Sequence, residues 1–318
     1  MTRDMQAIAV FGEALVDDFG TTQVVGGAPF NVARHLAGFG VPALMITRIG
    51  ADANGAAVRA QFSRFGMLEA GLQTDPRRPT GRVVVEQDEH GHRFDILPDQ
   101  AYDHIDADEA LAALAAPGMA APGMLYFGTL AQRGDVSRAA LGSMIAAAAA
   151  PRYLDLNLRD GQVPARHVLE AIGQAHILKV NEEELQWVHA ARGLPRPAGE
   201  DVLDAAAAAA ANALIDAFGL RGMIVTLGPR GALWLGADGT RLHAAAPDAI
   251  EIVDTVGAGD AFSAVFLLGD RLGWPLDTTL ERANAFAAAI CGVRGAVPPD
   301  PAFHAGWLAR WQARCRAY

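Results

Sequence analysis

The chain has 318 residues, 51% of them apolar and 19% charged, which excludes a disordered chain and allows one large α/β domain. The formal net charge of −10 argues against nucleic acid as a partner, although an anionic small ligand remains compatible where backbone amides and a cation supply positive field. Cys291 and Cys315 have no metal or redox spacing, Ile8–Phe11 is too short for a signal segment, and the alanine-rich stretch is broken by Asp201, Asp204, Asn212 and Asp216, so a cytoplasmic protein without a membrane span is expected.

In chain order, Ala7 to Phe11 reads as a buried strand ending at Gly12. Pro29 to Phe39 has helical spacing through Phe30, Ala33, Leu36 and Ala37, and Gly40 closes it. Ala43 to Ile49 is a strand, and Asn54 to Phe65 a helix closed by Gly66. Such alternation favours a parallel sheet covered by helices. Residues 81–97 break the rhythm: two β-type runs around Asp88-Glu89-His90-Gly91 form an antiparallel hairpin, read as a lid over a site rather than an extension of the main sheet. Further strands are expected at Met124–Phe127, Arg152–Leu156, Ile177–Val180, Gly222–Leu227, Ala232–Leu235 and Arg241–Ala244. Helices are expected at Asp135–Ala149, Glu182–Ala191, Asp201–Phe218, Asp260–Leu272 and Leu280–Cys291, with no fixed-period repeat and no linker dividing residues 1–318.

Two motifs carry chemistry. In Asp254-Thr255-Val256-Gly257-Ala258-Gly259-Asp260 three small residues open a helix, so backbone N–H groups and the helix dipole can hold an anion. Asp260 in the first turn is placed to take a proton from a hydroxyl beside that anion, a combination suited to phosphoryl transfer to an alcohol. The Lys-Ser/Thr pair of a P-loop is missing. Near the N-terminus, Gly26-Gly27-Ala28-Pro29-Phe30-Asn31 combines glycines for close backbone approach, a helix-starting proline and an amide able to donate and accept. That set suits sugar hydroxyls. Taken singly, each motif also reads as an ordinary turn feeding a helix.

Together, and in that order, the motifs resemble the two signatures of the ribokinase-like, or PfkB-type, sugar kinase family; Val265 departs from it, standing where a smaller residue is usual. The resemblance implies a three-layer α/β/α sandwich with a central, mostly parallel sheet, and a small β lid from segments around 13–25 and 81–97. It implies an ATP:sugar phosphotransferase needing Mg²⁺, with Asp260 as the base and Gly257, Ala258 and Gly259 as the anion hole. Lys179-Val180-Asn181-Glu182-Glu183-Glu184 resembles an Asn-x-x-Glu element, in which Asn181 and Glu184 help hold Mg²⁺ largely through water. Thr226, Gly228 and Gly231 resemble a strand and turn along the nucleotide, and Asn284 would lie at the adenine. Asp254 and the Val256 backbone resemble part of a K⁺ site completed by carbonyls near 293–295.

On the sugar side, Gly12-Glu13-Ala14-Leu15-Val16-Asp17 resembles the opening of fructokinases, with Asp17, Gly27 and Asn31 on the sugar and Arg159, from Asp155-Leu156-Asn157-Leu158-Arg159, toward sugar or phosphates. Fructose is the first expected substrate; kinases for 2-keto-3-deoxygluconate, ribose or nucleosides are the alternatives. A phosphorylated ketose would ask for basic residues that are missing near the N-terminus. From another class comes a non-catalytic sugar- or nucleotide-binding regulator, against which the intact Asp260, Gly257, Gly259, Asn181 and Glu184 speak. A dinucleotide oxidoreductase is disfavoured by the lack of Gly-x-Gly-x-x-Gly after the first strand. Homodimers through the lid are a family habit.

Overall fold

Along the first strand, Ala9 and Phe11 enter one hydrophobic cluster while Ile8 and Val10 enter another. A strand that is apolar on both faces must lie in a sheet covered on both sides. The computed structural model describes residues 6–88, 91–116, 121–194, 205–247 and 251–315. Its strands are β1 (Ile8–Phe11), β2 (Leu15–Asp18), β3 (Gln23–Gly26), β4 (Ala43–Gly50), β5 (Leu72–Asp75), β6 (Gly81–Asp88) and β7 (Gly91–Ile96). They continue as β8 (Met124–Phe127), β9 (Arg152–Asp155), β10 (Ile177–Asn181), β11 (Gly222–Thr226), β12 (Ala232–Gly236) and β13 (Arg241–Ala244).

The large sheet runs β13-β12-β11-β10-β9-β8-β1-β4-β5. It is parallel from β11 to β5, and β12 and β13 are added antiparallel at one edge. Helices Asp135–Ala147, Ala165–Gln174, Glu182–Arg192 and Ala205–Phe218 supply residues to the cluster on one face. Helices Ala28–Gly38, Ala53–Phe65, Ala258–Leu272, Leu276–Cys291 and Ala302–Cys315 cover the other. This is the expected three-layer arrangement. Leaving β1, the chain order goes to β4 on one side, while β8 fills the other side later, and open α/β sheets place ligands at such a switch point, beyond the carboxyl ends of the strands.

The two β runs expected at 81–97 pair antiparallel as β6 and β7 outside the main sheet, in a separate four-stranded sheet ordered β3-β2-β6-β7; residues 89–90 of their turn lie outside the described set. There β2 pairs antiparallel with β3 and parallel with β6. The helix expected from Asp201 is described from Ala205, and residues 201–204 lie outside the described set. The helix expected from Leu280 begins a turn earlier, at Leu276 directly after Pro275, where proline's fixed φ suits a helix start. Strand β5 and helices Ala107–Leu114, Ala165–Gln174 and Ala302–Cys315 carried no reading in the sequence.

Candidate active site

A cavity of 450 Å³ opens at the carboxyl ends of β1, β9, β10 and β11, beneath the small sheet, with Val83 and Ile96 of that sheet in its wall. Its floor joins the two sequence motifs. Asn31, on the first turn of helix Ala28–Gly38, donates from Nδ2 to Asp260 Oδ2 at 2.7 Å, across 229 residues of chain. The buried Arg34, one turn further on, donates to Asn31 Oδ1 and to the Val25 carbonyl. Because Arg34 can only donate, the amide oxygen must face it, and the NH₂ is left for Asp260. Burial pushes the Asp260 carboxyl up to about 6; the Asn31 bond opposes this, Asp155 adds to it, and Lys179 and Arg159 counter it.

Gly257 caps helix Ala258–Leu272 with φ of 80°, and a Cβ there would come within 2.5 Å of Ala296 Cα. Glycine is therefore required twice over, by conformation and by space. Gly257 and Gly259 line the cavity; Ala258 lies between them. Behind this turn stands a group the motif reading did not assign. The Lys179 ammonium donates to both Asp155 oxygens, at 2.9 and 2.8 Å, and a Cβ built on Gly259 would lie 3.3 Å from it. Asp155 also accepts from Ser263 at 2.8 Å and from Tyr126 at 3.3 Å. The pair is buried, with Asp155 2% exposed. Burial works against the ammonium, but the Asp155 charge and hydrogen bond prevail and hold it above the ordinary lysine range.

Asp17, Gly27 and Arg159 line the cavity on the side of the small sheet, and burial pushes the Asp17 carboxyl up to about 6 against the charges of Arg159 and Arg34. Gly27 has φ of 107°, and a Cβ would come within 2.6 Å of the Glu13 carbonyl, so only glycine lets this turn pass β1. Asn181, Glu184 and Thr226 line the opposite end. Asn181 and Glu184 form a capping box: Asn181 Oδ1 accepts from the Glu184 amide and Glu184 Oε2 from the Asn181 amide, each at 2.8 Å. Glu184 Oε1 also accepts from the Leu158 amide, and burial, the largest influence, raises its pKa. Each oxygen thus has one backbone donor and a remaining lone pair. Among the described residues no cluster of three or more His, Cys, Asp or Glu side chains could hold a metal alone.

Gly228 and Gly231 flank the turn from β11 to β12, outside the cavity lining. Asn284 is buried, and its amide donates to the Ala244 carbonyl at 2.7 Å, tying helix Leu276–Cys291 to β13. Asp254 accepts from Val256 N at 3.0 Å and Gly295 N at 3.1 Å, so it does bring together the two segments read as a cation site.

The profile of the pfkB family carbohydrate kinase matches residues 2–302. The chain belongs to this family. It is a sugar kinase, an enzyme that transfers a phosphoryl group to a sugar. Among curated relatives, the bifunctional protein HldE of Azorhizobium caulinodans is 29% identical over 306 residues, covering 88% of this chain; the chain spans only 60% of that protein. Fructokinase-1 of Zea mays is 27% identical over 333 residues, covering 95% of this chain and 96% of the relative. A solved double mutant of fructokinase from Vibrio cholerae O395, holding fructose, ADP and potassium ion, superposes with a TM-score of 0.76 at 23% identity, over 96% of this chain and 98% of that one. The last likeness is one of fold, the ribokinase-like sandwich. Among the described residues no helix of this sugar kinase is long and apolar enough to cross a membrane.

Proposed function

We propose that this sugar kinase uses ATP and that its substrate is fructose. The observation that carries the mechanism is the Asn31–Asp260 hydrogen bond of 2.7 Å, which sets a carboxylate from one motif against a polar helix start from the other, at the foot of the anion-binding turn. Asp17, Gly27, Asn31 and Arg159 form the sugar end; Asn181, Glu184 and Thr226 form the nucleotide end. Gly228 and Gly231 shape the turn beside the nucleotide, and Asn284 holds β13 near it rather than touching the base.

In the reaction Asp260 takes the proton of the attacking hydroxyl as its oxygen bonds to the γ-phosphorus. The bond from that phosphorus to the β–γ bridging oxygen breaks and ADP leaves. Gly257, Ala258 and Gly259 offer backbone N–H groups and the helix dipole to the charge on the transferring group. The buried Lys179 adds fixed positive charge behind them. Mg²⁺, held by the nucleotide phosphates and through water by Glu184, would neutralise charge on those phosphates. K⁺ would sit beside Asp254 and the Val256 backbone, whose side-chain bonds to residues 256 and 295 brace the turn. The small sheet, apolar where Val83 and Ile96 face the cavity, excludes water from the transferring group when it closes as a lid. Its exposed Val24, on edge strand β3, supports pairing of two lids in a homodimer.

Fructose is supported by Gly12-Glu13-Ala14-Leu15-Val16-Asp17, by Asp155-Leu156-Asn157-Leu158-Arg159, and by relatives named fructokinase. The test is ADP release from Mg-ATP against fructose, 2-keto-3-deoxygluconate, ribose and nucleosides, with Asp260→Asn alongside. The expected result is turnover fastest on fructose and reduced by orders of magnitude in the variant. Faster turnover on another sugar replaces the substrate; unchanged turnover in Asp260→Asn removes the base.

A further inference from the structure

The carboxyl groups around the cavity are not equally satisfied. Asp260 has the Asn31 amide, Asp155 has Lys179, Ser263 and Tyr126, and Glu184 has two backbone amides. Glu13 is different. It lies between β1 and β2, is 4% exposed and lines the cavity, yet its Oε2 is buried without a hydrogen-bond partner. Its carboxyl group stands beside the backbone amide of Ala28, at the start of the helix that carries Asn31. A buried polar atom left without a partner costs stability, and such an atom in a cavity wall is explained when a ligand completes it.

The neighbours set its chemistry. Burial is the largest influence and pushes the Glu13 carboxyl up to about 7, helped by Asp260 and opposed by Arg159 and the backbone donors. Near neutral pH a large share of it therefore carries a proton and can donate as well as accept. A neutral acid is also compatible with a second carboxylate, Asp260, serving as base in the same cavity, since two like charges there would repel.

We propose that Glu13 is a substrate-contacting specificity residue, whose Oε2 exchanges a hydrogen bond with a sugar hydroxyl other than the one facing Asp260. The inference rests on the sugar end lying at Asp17, Gly27 and Asn31, and it deepens that reading. A site built around a hydroxyl discriminates strongly against analogues lacking it, because the buried protein group is then left unpaired.

The test compares wild type, Glu13→Ala, Glu13→Gln and Asp17→Asn on the sugar turned over fastest in the panel and on its monodeoxy analogues. Glu13→Ala is expected to lose about 10- to 100-fold in kcat/KM for the sugar, with KM for ATP within about twofold of wild type. Glu13→Gln, which keeps a neutral donor and acceptor, recovers most of that loss. One deoxy analogue, poor for wild type, should lose nothing further in Glu13→Ala, while the others lose the full factor. If every analogue loses the same factor in Glu13→Ala as the parent sugar, Glu13 does not touch substrate. A rise in KM for ATP together with a lowered Tm would make it a structural brace, and the proposal falls. Should Asp17→Asn also leave the sugar KM unchanged, the sugar end itself is misplaced, which separates failure of the pocket from failure of Glu13.

Discussion

Asn31→Ala should move the pH dependence of turnover, because Asn31 tunes the base as well as lying beside it. The Asn31 amide donates to Asp260 at 2.7 Å and favours its charged form, while burial pushes the carboxyl up to about 6. Hydrogen bonds to charged groups are worth about 1.5–3 kcal/mol, and 1.36 kcal/mol corresponds to one pH unit, so losing this bond raises the pKa by roughly one to two units. A general base works deprotonated, and kcat/KM is therefore lost as pH falls through its pKa in the free enzyme. Wild type should show an acid limb near pH 6, and Asn31→Ala one at roughly 7–8. At pH 7 about nine-tenths of wild type holds the carboxylate, against about a tenth to a half of the variant, and the gap closes near pH 9. The charged neighbours Asp155, Lys179 and Arg159 are the same in both proteins and cancel in the difference, whereas Arg34, freed of its Asn31 partner, opposes the rise and favours its lower end. The assay is kcat/KM for the sugar from pH 5 to 9.5, which reports the base of the free enzyme; a loss of sugar binding lowers the whole profile without moving the limb. A uniform drop with an unmoved limb would refute the tuning role.

Two further outcomes follow from the same electrostatics. Asp260 titrates at about 6 in the folded chain against 3.8 as the ordinary value, so between these pH values the native state holds the extra proton, and stability is lost as pH rises through that window. Asp260→Asn should therefore be more stable than wild type above pH 6, by about 3 kcal/mol in urea unfolding, with the difference shrinking toward pH 4; equal stability at pH 8 would contradict it. Lys179→Met strands the buried Asp155 carboxylate and should cost about 3–5 kcal/mol, most of which Lys179→Met with Asp155→Asn recovers. Turnover should stay low in that double variant, and recovery of kcat along with stability would reduce the pair to a structural role.

Much of this site was legible because its parts are local. The anion turn is contiguous, its helix starts within the motif, and the glycines at 27 and 257 sit where the backbone has positive φ and no room for a Cβ. The β1 and β8 runs announce themselves by uninterrupted apolar residues, and β4 and β10 by apolar runs broken at Thr47-Arg48 and at Lys179. What escaped depends on pairing. Asp155 and Lys179 are 24 residues apart and face each other only because β9 and β10 run parallel in that register. Arg34 reads as an ordinary polar position on a helix until Asn31 is found to need its oxygen held. Strand β2 has no alternation, since Leu15, Val16 and Asp18 are all buried, and only its pairing with β3 and β6 explains it. Asn284 was placed by analogy alone, and its bond to Ala244, 40 residues away, depends on tertiary pairing that no motif announces.

The parts that escaped share one cause with the parts that react. Glu13, Asp17 and Asp260 are held in a space dry enough to push all three carboxyl groups upward, which a chain selected for stability alone would avoid. The structure meets that cost with unequal partners: two buried cations, Lys179 and Arg34, are anchored on neighbouring elements and serve Asp155 and Asn31 rather than the reactive carboxyl directly. Asp260 therefore keeps the basicity that its proposed role asks for, whereas a direct lysine or arginine partner would hold its pKa low and weaken it as a base. Indirect bracing of this kind leaves no contiguous motif, which is why Asp260 stands out in the sequence and its supports do not.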